Sequence, residues 1–121
     1  MQGILVVAHG SRAKETEATL EAIVGMVKAK LPDTIIECAF MEFSERTIEK
    51  GVSALVSKSV TEIKVVPYFL FMGIHMKEDI PNLVAECAAV YPGVKITMAE
   101  PLGLDMRLAE IIIDRIVQDE S

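Results

Sequence analysis

His9 and His75 are the only histidines in a chain of 121 residues. Each directly follows an apolar, strand-like run, Ile4–Ala8 and Tyr68–Ile74, which predicts that both sit at one edge of a sheet. Neutral imidazole nitrogens suit iron, cobalt, nickel, copper and zinc. Glu42, just past a second strand-like run, falls on the same edge and could add a carboxylate oxygen. Two nitrogens, one oxygen and open coordination positions describe a site from which a metal can leave, unlike a closed four-ligand structural site. A plainer alternative stays open: each histidine as a hydrogen-bonded loop residue, and Glu42 as an exposed carboxylate near a helix start, beside Glu45 and Glu49.

Around these residues, Gly10 and Gly73 would permit unusual backbone angles or the close approach of a ligand, or serve plain turns. Tyr68, Phe69, Leu70, Phe71, Met72 and Ile74 make an apolar run longer than one buried strand needs. Part of it could face a flat apolar ligand or a second subunit; the alternative is a buried strand followed by a packed loop. After His75 come Lys77, Glu78 and Asp79, where an acidic group could orient the imidazole or simply cap a helix. Neither G-x-G-x-x-G nor G-K-[ST] occurs, so nucleotide cofactors are not indicated.

Twelve Lys and Arg against eighteen Asp and Glu leave a net charge of −6 with no basic run, which argues against nucleic-acid binding. A substrate rich in carboxylates would therefore need a local basic patch, for which Arg12, Lys14, Arg46 and Lys77 are the candidates. The methionines are scattered and read as core filler, not as a soft-metal site.

The elements that must position these groups alternate between strand and helix periodicity. Strands are expected at Gly3–Ala8, Thr34–Met41, Glu62 to about Leu70 and Val94–Ala99, with Pro67 breaking the pairing of the third. Ser11–Leu31 reads as a loop and helix, with Leu20, Ile23, Val24, Val27 and Leu31 forming a core-facing stripe. Further helices are expected at Thr47–Ser59, at Asp79–Tyr91 with Asp79 as N-cap and Pro81 in the first turn, and at Asp105–Gln118. Leu104, Leu108, Ile111, Ile112 and Ile116 line one side of the last. With right-handed crossovers this order gives an α/β, flavodoxin-like three-layer sandwich, a mainly parallel four-stranded sheet with helices on both faces. Ligands of such folds bind beyond the carboxyl ends of the strands.

With 51% hydrophobic and 25% charged residues, residues 1–121 are expected to form a single α/β domain with one core. No apolar run reaches the roughly 20 residues of a membrane-spanning helix, and no basic leader precedes the first strand. A cytoplasmic protein without membrane contact is the expectation. Cys38 and Cys87 lack paired spacing and read as buried thiols.

At VVAHGSR around His9, at PYFLFMGIHMKEDIP from Pro67 to Pro81, and at PLG from Pro101 to Gly103, the sequence resembles the small sirohydrochlorin cobaltochelatases, over essentially its whole length. That resemblance implies an ATP-independent class II chelatase without an organic cofactor. It implies metal binding by His9 and His75, and a chelatase-like fold equal to half of the larger two-lobed enzymes and assembled as a homodimer. The divalent metal, cobalt foremost and nickel or iron otherwise, is a substrate, and so is the tetrapyrrole. Gly10, Ser11, Arg12, Arg46, Lys77 and the Phe69–Ile74 segment with Gly73 would contact the macrocycle, Arg12 and Lys77 through its carboxylates. His9, His75 or Glu42 would accept a pyrrole proton. Glu42 lies in AFMEFSE, similar to the family's corresponding stretch, but Arg46 stands where a proline is expected. Two rival readings are a metal or tetrapyrrole carrier that performs no insertion and a histidine phosphatase, the latter weakened by Ala8 where an arginine would precede the nucleophile.

Overall fold

The computed structural model describes residues 1–118, in which strands and helices alternate: β1 (Gln2–Ala8), α1 (Glu15–Lys30), β2 (Ile35–Phe40), α2 (Ile48–Ser57), β3 (Glu62–Pro67), α3 (Ile74–Val90), β4 (Lys95–Met98) and α4 (Met106–Val117). All strand pairs are parallel, in the order β2-β1-β3-β4. The central strand β1 is almost wholly aliphatic because helices cover both of its faces.

Period-two alternation divides its side chains between two layers. Leu5 and Val7, with Ala39, Ile63 and Val65, pack against Ile48, Val52 and Leu55 of α2 and Cys87 of α3. Ile4, Val6 and Ala8, with Ile36, Cys38 and Phe40, face Leu20 and Val24 of α1. Helices on both faces make the expected three-layer sandwich, with the order reversal of flavodoxin-like sheets between β1 and its two neighbours. Helix α2 starts as its sequence dictates: the Thr47 hydroxyl accepts a hydrogen bond from the Lys50 backbone N–H at 3.2 Å.

Several expectations are corrected. Strand β3 stops at Pro67 instead of running to Leu70, because proline offers no N–H for the ladder. Residues 68–73 form a loop, so His75 lies in the first turn of α3 and not directly behind a strand. Helix α3 begins at Ile74 with Gly73 as its N-cap, which places Asp79 inside the helix and Pro81 at its eighth position. Val27 and Leu31, expected in the core, are exposed, since α1 covers the β2 side of the sheet only; on β3 and β4 the same face carries exposed Glu62, Lys64, Lys95 and Thr97. Helix α4 has the expected apolar stripe but not one buried residue, and Ile112 and Ile116 are 62% and 74% exposed.

No helix among the described residues is long and apolar enough to cross a membrane. Both cysteines are buried. Burial, with Glu21 nearby, pushes the Cys38 thiol up to about 11. Thiol reagents at pH 8 should therefore leave the native protein unmodified and react with two thiols per chain in denaturant; rapid native labelling would contradict this packing. The linkage has a definite sign. The raised Cys38 value contributes stability below the unfolded thiol's value of roughly 8.5, and that stability is lost as pH rises through about 11.

Candidate functional site

Strand pairing decides which loops meet. Because Ala8 stands opposite Phe40 in the β1–β2 register, the residues just past both strands emerge side by side. The Met41 N–H donates to the carbonyls of Ala8 (3.0 Å) and His9 (3.1 Å), and the Glu42 N–H donates to His9 at 3.0 Å. Gly10 is required where the two loops cross. Its φ is +98°, and a β-carbon there would lie well inside van der Waals contact with the Glu42 carbonyl oxygen. Gly73, by contrast, has open space around it and ordinary extended angles.

This crossing aims two side chains at each other: His9 Nε2 lies 2.7 Å from Glu42 Oε1. The two side chains are 55% and 48% exposed, and so exposed a pair adds only about 0–1 kcal/mol to stability. Fold stability therefore gives little reason for its presence. The bonded carboxylate fixes the imidazole's orientation and leaves the other ring nitrogen, Nδ1, with no hydrogen-bond partner among the described residues. Phe69 meets the His9 ring edge-on, with centroids 6.3 Å apart.

The remaining expected site residues fall around this pair in three groups. On the β3 side, the Tyr68 N–H donates to the Val7 carbonyl (2.7 Å) and the Leu102 N–H to the Phe69 carbonyl (3.0 Å), which ties the 68–73 loop between β1 and the Pro101–Gly103 turn. Phe69 is buried, Met72 half-buried, and Leu70, Phe71 and Ile74 exposed, Phe71 by 88%. So large an apolar exposure beside polar side chains is more than isolated surface residues usually show. His75 and Lys77 follow, both exposed in the first turn of α3. Parallel topology keeps that turn on the carboxyl side of the sheet, but among the described residues no three His, Cys, Asp or Glu side chains gather as a ready metal cage. His9 and Glu42 are brought together; His75 is not joined to them.

On the β2 side, Ser11, Arg12, Lys14, Phe43, Glu45 and Arg46 border a cavity of about 440 Å³. Arg46 is engaged already: its guanidinium bonds Glu21 at 2.6 Å and lies 5.9 Å from the Phe40 ring centroid. That bond holds the Glu21 carboxyl below its usual range. Among the described residues Arg12 and Lys14 form no ion pair, so they are the cations this wall can offer. A second cavity of about 420 Å³ opens between the His9–Gly10 loop, Tyr68 and the start of α1. It lies where the strand order reverses, the usual ligand crevice of such sheets.

Sequence reasoning missed Phe43. It lies between Glu42 and the cavity wall, 51% exposed, at a φ of +56°. Its ring carries the Arg12 guanidinium 5.0 Å from the centroid. Only its adjacency to Glu42 could have drawn attention to it.

The CbiX family profile matches residues 3–119. The sirohydrochlorin cobaltochelatase of Sulfurisphaera tokodaii is 36% identical over 116 residues, covering 96% of this chain and 92% of that protein. The sirohydrochlorin ferrochelatase of Priestia megaterium is also 36% identical over 116 residues, but the chain spans only 44% of its length. Among solved structures, the sirohydrochlorin chelatase SirB of Bacillus subtilis subspecies spizizenii in complex with cobalt superposes with a TM-score of 0.87 at 36% identity, over 95% of this chain and 49% of that one.

Proposed function

The chain belongs to the CbiX family, whose profile spans nearly all of it, and from that premise we propose that it inserts a divalent metal ion into sirohydrochlorin or a closely related tetrapyrrole without ATP. Cobalt is the foremost ion, with iron or nickel as alternatives, because several relatives are sirohydrochlorin cobaltochelatases and the similar chelatase SirB is seen in complex with cobalt. The observation that carries the reading is the short, exposed His9–Glu42 pair at the crossing of the β1 and β2 loops.

Insertion exchanges two pyrrole protons for one metal ion, so the site must strip water from the ion, hold it over the ring and take up protons. With Nε2 bonded to the carboxylate, His9 offers Nδ1 as a metal ligand oriented by a fixed hydrogen bond. His75, in the first turn of a helix that starts at the same sheet edge, supplies a second nitrogen. The coordination sphere stays open, so ring nitrogens replace the protein ligands by exchange. Glu42, or an imidazole released from the ion, accepts the two pyrrole protons in turn as the protonated ring nitrogens bond the metal. Arg12, Lys14 and Lys77 pair with peripheral carboxylates, and the exposed Leu70, Phe71 and Ile74 shield the ring from water. Arg46 acts from the wall through its bond to Glu21.

The test is a product count. Sub-stoichiometric protein should yield many equivalents of metallated macrocycle, each with two protons released to an indicator dye. Conversion that stops at one equivalent per chain would identify a carrier.

A second copy of the chain completes the reading. One domain of this fold offers a macrocycle a single wall. The exposed stripe of α4 supports such pairing, since leaving Ile112, Ile113, Ile116 and Val117 in water forgoes apolar burial. Light scattering should find a dimer whose apparent mass halves in the Ile112→Glu, Ile116→Glu variant; a wild-type monomer would refute it.

A further inference from the structure

Phe43 is held in a backbone conformation that bulky residues avoid, and its ring is not rewarded by burial. Among the described residues only Phe43 and Ser59 combine a side chain with positive φ, at +56° and +65°. A left-handed phenylalanine is a genuine outlier, since the β-carbon crowds the following carbonyl. Core packing usually offsets such strain, yet half of this side chain faces solvent. The geometry is imposed from both sides. Upstream, Met41 and Glu42 are bonded to the β1 loop; downstream, the Phe40 N–H donates to the Arg46 carbonyl at 2.7 Å and the Arg46 N–H to Ser44 Oγ at 3.0 Å. These bonds close residues 40–46 into a tight loop whose tip presents an aromatic ring.

Three features locate what that ring meets. It follows the carboxylate that bonds His9, so it borders the metal-transfer point. It lines the cavity where, among the described residues, Arg12 and Lys14 form no ion pair, with the carboxylates of Glu17 and Glu45 also on the wall. Arg12 lies over one ring face at 5.0 Å, close enough for cation–π attraction, which limits the freedom of an otherwise exposed guanidinium. An aromatic surface next to an oriented cation suits a ligand that is itself flat and apolar in the middle and anionic at the rim.

We propose that Phe43 is a specificity-determining residue for the macrocycle: its ring contacts a pyrrole unit beside the His9–Glu42 pair, and it aims Arg12 at a peripheral carboxylate. This rests on the chelatase reading. The left-handed backbone turns the ring outward, into the path of the ligand.

The experiment compares wild type with Phe43→Asn and Phe43→Tyr. Asparagine tolerates the left-handed region, so Phe43→Asn relieves strain while removing the ring. Its melting temperature should equal or exceed that of wild type. Its KM for sirohydrochlorin should rise roughly tenfold, with kcat within about twofold, because the contact is with the ring and not with the metal. Titration with Co(II) alone should be unchanged, and Phe43→Tyr should restore KM. A purely structural Phe43 would move stability and leave KM in place. Wild-type KM in Phe43→Asn, or loss of Co(II) binding in step with KM, would overturn the inference alone; a wild type that neither binds nor metallates sirohydrochlorin would overturn the chelatase reading and this inference with it.

Discussion

His9→Ala should reduce metal insertion to the uncatalysed rate, a loss on the order of 10²–10⁴, while the melting temperature changes by no more than the small worth of an exposed pair. The expectation follows from two facts that pull apart in most proteins. His9 is central to the proposed site, donating the 2.7 Å bond to Glu42, yet its side chain is more than half exposed, with its ring edge-on to Phe69. Removing it takes a partner only from the Glu42 carboxylate, which is itself half exposed to water. His75→Ala should behave alike, since its side chain is exposed on the first turn of α3. Glu42→Gln retains a hydrogen-bonding side chain but loses the charge, so its insertion rate should fall between those of wild type and His9→Ala. Steady-state rates from visible absorption, set beside thermal melts of the same preparations, check all three. A His9→Ala protein that turns over normally would refute the role given to the pair.

Gly10→Ala should damage both stability and catalysis. The substitution forces a side chain into positive φ and drives its β-carbon into the Glu42 carbonyl. The neighbouring backbone cannot retreat cheaply, because the Met41 and Glu42 N–H groups are bonded to the carbonyl of His9, one residue upstream. A cost of about 3 kcal/mol is expected from strain and lost loop bonds together. In molecules that still fold, a displacement near 1 Å between His9 and Glu42 should lower the insertion rate on the order of 10²-fold. Chemical denaturation and single-turnover absorption measure the two effects separately. A Gly10→Ala protein as stable and as fast as wild type would show that the loop crossing is looser than its geometry implies.

The sheet was legible in the sequence because burial on both faces leaves a continuous aliphatic run, as in Ile4–Ala8, and because helices α1 and α2 repeat their apolar residues at helical spacing. The neighbourhood of His9 and Glu42 was legible for the same reason: residues just past adjacent parallel strands must emerge together. The β3–α3 boundary was not. Tyr68 to Ile74 has strand-like composition, so hydrophobicity carried the strand past Pro67 to about Leu70 and set His75 directly behind a strand-like run. Once Pro67 ends the ladder, the chain turns and enters a helix at Gly73, and His75 becomes a helical residue. Asp79 and Pro81 resemble a helix start in isolation, but tertiary context extends α3 upstream of them. The exposure of α4 was equally hidden, because an apolar stripe records that a face is buried without recording against which surface. Phe43 was invisible because side-chain preferences argue against a left-handed phenylalanine.

The account's central claim is that this chain moves a metal ion into a tetrapyrrole, and the most direct measurement is anaerobic visible absorption of sirohydrochlorin with Co(II), with and without catalytic amounts of the protein. The account predicts spectral conversion to the cobalt product well above the spontaneous rate, continuing through many turnovers per chain. Conversion no faster than the protein-free control, even with macrocycle binding visible as a spectral shift, would contradict it.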